Sequence, residues 1–155
     1  MGSNWTFWHF GVVVRSMEEA AEYYQKLGIG PFEVGERLTP IDRKIRGKPM
    51  VDIQNRFEKV PLGPIKMELV QPVTGQSLQR EFLDKHGEGI NHIAFLVDDI
   101  EEETRKMAGL GFAPVSSGRL AEGGGFAYFD TDRVGGFLIE LAQLPDTSTS
   151  SRPDH

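Results

Sequence analysis

The chain has 155 residues, about one domain's worth. It holds no cysteine, which excludes disulfide frameworks, thiolate metal sites and cysteine nucleophiles. A net charge of −6 without a long basic block argues against nucleic acid as a partner. No apolar run approaches the ~20 residues of a membrane helix, and MGSNWTFWHF lacks the basic start of a secretory signal, so a cytoplasmic protein is expected.

The stretch WTFWHFGVVVR is apolar, aromatic and β-branched, which predicts a buried strand. Ser16-Met17-Glu18-Glu19 then offers a capping box, and Met17, Ala20, Tyr24 and Leu27 recur at helical spacing. Gly28 stands where a left-handed cap would end that helix. Strands are expected over 32–39, 49–59 and 65–71. Ser77 caps a linker helix over 77–86 that Gly87 stops. INHIAFLVDD opens a second buried strand, and Asp99 with Glu102 caps a helix carrying Ile100, Met107 and Leu110 and closed by Gly111. Strands follow over 112–118, 124–130 and 136–143. The tail over 146–155, DTSTSSRPDH, is small and polar, and is expected to be flexible.

The two halves are copies. HFGVVVRSMEEAAEYYQKLGIGPF aligns without a gap on HIAFLVDDIEEETRKMAGLGFAPV, matching His9 with His92, Gly28 with Gly111 and Pro31 with Pro114. IKMELVQ aligns on FLIELAQ, matching Glu68 with Glu140, at a shorter offset that places an 11-residue insertion in the first half. The chain is therefore expected to be one domain over 1–145, made of two β-α-β-β-β modules, 5–73 and 89–144. Modules this short bury little surface alone, so the copies should pair around one core.

The repeat also selects residues. A histidine inside an apolar strand is ordinarily a satisfied core residue, and a strand glutamate ordinarily points to water. Two of each, at equivalent places in paired modules, can instead converge. His9, Glu68, His92 and Glu140 would then offer imidazole and carboxylate ligands to a divalent metal. Gly11 and Ala94, two residues on from each histidine, read as space for a ligand. Asp52, Gln54, Arg56 and Glu58 share one face of a strand, which suits a polar cleft wall or an exposed sheet. Glu122-Gly123-Gly124-Gly125 reads as a hairpin turn or an anion cradle. Arg43, Lys44, Arg46 and Lys48 form a basic cluster in the insertion, either a solvated loop or a phosphate contact. Trp5 and Trp8 read as cover for a module or dimer interface.

These pieces resemble the vicinal oxygen chelate superfamily, which includes glyoxalase I, methylmalonyl-CoA epimerase, extradiol dioxygenases, fosfomycin-resistance enzymes and bleomycin-binding proteins. IKMELVQP, EFLDKHGEGINHIAFLVDDIEE, LAEGGGFAYF and GGFLIELAQ are most similar to methylmalonyl-CoA epimerase. The resemblance implies an α+β fold whose modules form a cupped eight-stranded mixed sheet, helices outside, around a divalent ion. It implies His9, Glu68, His92 and Glu140 as ligands, Co, Mn, Ni, Zn or Fe as the ion, and a homodimer. Epimerases often carry Gln where this chain has Glu68, a departure that leans toward glyoxalase-like ligation.

The implied reaction is epimerisation of an acyl-CoA such as methylmalonyl-CoA, by removal of the proton α to a metal-polarised carbonyl. Glu140 is one candidate base. Asp52 is the other, although it also fits a solvated edge-strand charge. The alternatives are a glyoxalase I-type lyase acting on a thiol hemithioacetal and a non-catalytic, drug-binding resistance protein.

Overall fold

The computed structural model describes residues 4–35 and 39–146. The expected flexible tail lies outside the described residues from 147 onward, as does the 36–38 part of the expected strand 32–39.

Strand β1 (Thr6–Val13) runs into helix α1 (Met17–Lys26), then β2 (Glu33–Val34) and a short hairpin of β3 (Lys44–Ile45) and β4 (Lys48–Pro49). The long pair β5 (Gln54–Leu62) and β6 (Ile65–Thr74) completes the first half. Helix α2 (Leu78–His86) leads to β7 (Gly89–Leu96), α3 (Ile100–Gly109), β8 (Pro114–Arg119), β9 (Gly125–Phe129) and β10 (Leu138–Gln143). The strands form one mixed sheet in the order β2-β5-β6-β1-β7-β10-β9-β8-β3-β4.

The module repeat is visible in the pairing. β1 and β7 run antiparallel at the centre, and each is flanked in parallel by the last strand of its own module, β6 on β1 and β10 on β7. The repeat accounts for eight strands, as expected, and the sheet has ten. The extra two come from the first-half insertion, which crosses the molecule and pairs β3 with β8 at the far edge of the second half. An uncovered β8 would present a row of unpaired N–H and C=O groups, and the hairpin satisfies part of it. Arg119 bonds Asp42 at 2.7 Å and Arg46 bonds Glu81 at 3.0 and 2.8 Å, pinning the crossing segment in place.

Helix starts follow the expected chemistry. Ser16 Oγ accepts the Glu19 N–H, Ser77 Oγ that of Arg80, and Asp99 Oδ1 that of Glu102. Each such cap is worth about 1 kcal/mol. The glutamine that closes each ELxQ segment adds a matched device. Gln71 Oε1 accepts the Met17 N–H at 2.8 Å, and Gln143 Oε1 accepts the Ile100 N–H at 3.1 Å. Each module thereby ties its last strand to the start of its own helix. Gly28 and Gly111 close α1 and α3 with φ of +82° and +92°, where a side chain would be strained.

α1 packs on the outer face of the first module through Met17, Val12, Val14, Val60, Met67 and Leu69. α3 packs equivalently against Val97, Phe129 and Leu141. Full burial of one such side chain contributes about 1.5–3 kcal/mol. Strand alternation then decides the inner face: with Met67 and Leu69 turned toward α1, Glu68 must point the other way, and Leu141 does the same for Glu140. Among the described residues no helix is long and apolar enough to cross a membrane.

Candidate functional site

The inner face collects the four repeated residues. Because β1 and β7 are antiparallel, His9 stands opposite Ala94 and His92 opposite Gly11. The space read at Gly11 and Ala94 is therefore filled by the imidazole of the facing strand. A Cβ on Gly11 would lie 2.5 Å from His92 Nε2 and 2.6 Å from Nδ1.

A β-bulge sets the direction of His9. Phe7 pairs with Phe95 and His9 with Ala94, leaving Trp8 as an extra residue. The bulge lets Trp5 and Phe7 pack on Phe95, at ring distances of 5.4 and 5.6 Å, while His9 turns to the inner face. Trp5 also donates to Glu103 at 2.8 Å, so it covers the second-module core. Trp8 lines the inner cavity instead.

His9 Nε2 and His92 Nε2 are 3.2 Å apart. Glu68 Oε1 lies 3.3 Å from His9 Nε2 and 3.6 Å from His92 Nε2. Glu140 Oε2 lies 3.6 and 3.4 Å from the same two atoms. All four side chains are buried. His9, His92 and Glu140 keep their donor atoms within 4.8 Å of one another. Nitrogen and oxygen donors about 2.1 Å from one ion stand roughly 3.0–3.4 Å apart, so this spacing suits one metal.

Two further observations bear on that fit. His92 Nδ1 meets Asn91 Oδ1 at 3.0 Å. An amide oxygen only accepts, so the proton sits on Nδ1 and the Nε2 lone pair faces the cluster, the tautomer a metal ligand needs. Glu140 Oε2 is buried without a hydrogen bond. A buried carboxylate oxygen left in that state is costly, and a cation would satisfy it. The donor set is two imidazoles with carboxylates, the chemistry of Zn, Co, Mn, Ni or Fe rather than a thiolate-selective ion.

The electrostatics agree. Burial alone pushes the His9 pKa down, but the charge of Glu68 and the nearby Glu140 carboxylate overcome it and raise it from 6.5 to about 9. Burial pushes Glu68 up, and the charge and hydrogen bond of His9 more than reverse this, holding the carboxyl well below its ordinary range. Both shifts report the negative charge of the carboxylates, which little water screens and which would hold a cation in place of the His9 proton.

Sequence reading missed Lys59 beside Glu68. Lys59 pairs across β5–β6 with Glu68, and Tyr128 pairs across β9–β10 with Glu140, at equivalent places in the modules. Lys59 Nζ lies 3.4 Å from Glu68 Oε2 and 4.1 Å from the centre of the Trp8 ring. Tyr128 stands beside Glu140 in that pair; burial, then the charges of Glu140 and Glu68, hold its hydroxyl pKa well above the ordinary phenol value. Gln79 Nε2 donates to that hydroxyl at 3.5 Å, Asn55 Nδ2 donates to Gln79 at 3.3 Å, and Ser77 Oγ donates to Asn55 at 3.2 Å. A polar chain thus joins the α2 cap to the inner face of the sheet. The signal for Lys59 and Tyr128 is the hairpin register, which sequence alone does not supply.

The centre opens into a cavity of about 370 Å³ walled by Trp8, Phe57, Met50, Phe126 and Tyr128. Asp52 lines its exposed rim rather than joining the cluster. It occupies a bend with φ +62° before β5 begins, and its carbonyl accepts from Thr74. Thr74 is six residues from Glu68, about 20 Å along β6. From β5 the cavity receives Gln54, Asn55, Phe57 and Lys59, whereas Arg56 bonds Glu18 of α1. The polar face read at Arg56 and Glu58 is therefore not the cleft wall. Gly123 and Gly124 lie in the β8–β9 turn and Gly125 opens β9, with Gly124 packed on the Gln143 backbone. Of the basic cluster, Arg46 is tied to Glu81 and Arg43 enters the cavity wall.

The family model of the glyoxalase/bleomycin resistance protein/dioxygenase superfamily matches residues 8–129. The uncharacterized protein YqjC of Bacillus subtilis (strain 168) is 25% identical over 138 residues, covering 87% of this chain and 89% of that protein. The methylmalonyl-CoA epimerase of Mycobacterium tuberculosis superposes with a TM-score of 0.63 at 23% identity, over 94% of this chain and 92% of the other. A variant of the Streptomyces coelicolor methylmalonyl-CoA epimerase, in complex with 2-nitronate-propionyl-CoA, gives 0.62 at 20% identity over 91% and 98%. Likeness at these identities speaks for the fold.

Proposed function

This chain belongs to the glyoxalase/bleomycin resistance protein/dioxygenase superfamily, and on that premise we propose that it is a divalent-metal-dependent isomerase that moves the proton α to a carbonyl, with an acyl-CoA such as methylmalonyl-CoA as its substrate. The observation that carries the reading is the convergence of His9, His92 and Glu140, with Glu68 against both imidazoles, at the floor of one cavity. His9, Glu68, His92 and Glu140 would hold the ion. When bound, it supplies a Lewis acid that polarises a substrate carbonyl and acidifies the adjacent C–H.

The chain's own residues do the rest. Glu140 is both a ligand and the candidate base: its carboxylate, once free of the ion, takes the α proton, with Tyr128 beside it across the β9–β10 pair. Lys59 keeps Glu68 ionised from the opposite side. Phe57, Trp8 and Met50 exclude water from the apolar part of the substrate. Asp52, on the rim, faces the remote end of a bound molecule.

A second reading is favoured by one observation. Epimerisation with two bases wants a carboxylate on each side, and β5 sends Gln54, Asn55, Phe57 and Lys59 into the cavity instead. A single base that moves a proton between neighbouring carbons, as on a thiol hemithioacetal, fits that wall. Chelator-stripped protein titrated with Co²⁺, Mn²⁺, Ni²⁺ and Zn²⁺ should bind about one ion per chain and lose it in His92→Ala. Solvent deuterium should then enter C2 of methylmalonyl-CoA. Thiol-dependent turnover of an α-ketoaldehyde without that exchange would select the lyase reading, and absence of metal binding would sink both.

A further inference from the structure

Arg43 comes from the first-half insertion that crosses to the second half, and it lines the cavity wall half-buried. Its Cζ lies 5.9 Å from the centre of the Phe126 ring, and its one hydrogen bond is a long one, 3.5 Å to the carbonyl of Ile53. Among the described residues no carboxylate pairs with it. Its neighbours differ: Arg46 holds Glu81, Arg119 holds Asp42 and Lys59 holds Glu68. A guanidinium carries five donors in a planar fork, and this one lines a cavity with a single long side-chain hydrogen bond. Burial lowers its pKa, the mark of a cation that has lost water without gaining a counter-ion in exchange.

The position sets a distance. Tyr128 and Phe126 are successive inward residues of β9, about 7 Å apart. Tyr128 lies edge-on to His92 at 5.2 Å and pairs with Glu140 across β9–β10, while Phe126 lies beside Arg43. Around them the cavity wall carries Ile45, Met50 and Phe126, with Ser116 beside Tyr128.

We propose that the cavity takes a substrate with a second anionic group, a carboxylate that Arg43 binds on the order of 10 Å from the oxygens held at the His/Glu centre, across an apolar chain. Arg43 is thus a specificity-determining residue, and the substrate class is an acyl or hydroxyacyl chain ending in a carboxylate. The chelating end of this assignment rests on the metal reading above; the Arg43 end does not.

The test compares 2-hydroxyoctanoate with 2-hydroxyoctanedioate, which share the chelating end and chain length and differ in the terminal carboxylate. Calorimetry on Co²⁺-loaded protein should give the diacid on the order of tenfold tighter binding, the scale of one charge-assisted hydrogen bond. Arg43→Gln should level the two probes, and Arg43→Lys should restore part of the difference. A merely structural arginine would weaken both probes alike in Arg43→Gln and keep their ratio, which overturns the proposal. So does equal binding of the two acids by the unmodified protein, or binding of neither. Free CoA serves as a third probe: if Arg43→Gln weakens CoA while the diacid preference survives, the anion is a phosphate and the proposal fails. Co²⁺ uptake is scored separately by its visible absorption. Its absence would refute the metal reading, and the diacid ratio on metal-free protein would still decide Arg43.

Discussion

Replacing Gly11 by alanine drives a methyl group into His92. The new Cβ would stand 2.5 Å from Nε2 and 2.6 Å from Nδ1, with Cε1 closer still. Van der Waals contact needs about 3.5 Å, so the ring must retreat by about 1–1.5 Å. It has nowhere easy to go, because His92 is fully buried, bonded to Asn91 on one side and set against His9 on the other. Overpacking of this kind costs about 1–3 kcal/mol, which for a domain of this size lowers Tm by roughly 2–12 °C. The effect on metal is larger. Ligand distances tolerate about 0.2 Å, so a displaced Nε2 should cost at least about 100-fold in affinity. Co²⁺ titration followed by visible absorption, with thermal unfolding of the stripped protein alongside, measures both. Wild-type Co²⁺ affinity in Gly11→Ala would refute the packing argument and with it the assignment of His92 as a ligand.

Asn91→Leu removes the acceptor that fixes the His92 tautomer, and should weaken metal binding about 10- to 100-fold with the fold intact, read by the same titration. Gln143→Ala leaves the Ile100 N–H at the start of α3 without its acceptor and should cost about 1 kcal/mol in urea unfolding. Gln71→Ala should cost a similar amount at α1, since the device is repeated. Asp52→Asn should leave metal affinity within about twofold of wild type, because an exposed rim charge has small energetic reach. A large loss in that variant would return Asp52 to the catalytic group.

What the chain discloses unaided follows from local chemistry written twice. The His9/His92 and Glu68/Glu140 matches, the caps at Ser16 and Asp99, and the closing glycines Gly28 and Gly111 depend on residues within a turn or a strand of one another. Alternation then puts each glutamate on the face opposite its core neighbours. Tertiary structure decided the rest, because it depends on which strand lies beside which. The Trp8 bulge turns His9 inward, and the central antiparallel pair gives the space over Gly11 to His92. Hairpin register brings Lys59 to Glu68 and Tyr128 to Glu140. The insertion carries Arg43 across the molecule because an open β8 edge accepts its hairpin. None of these has a signature in neighbouring residues, since cross-strand contacts join atoms far apart in the chain, and only the folded sheet sets their partners.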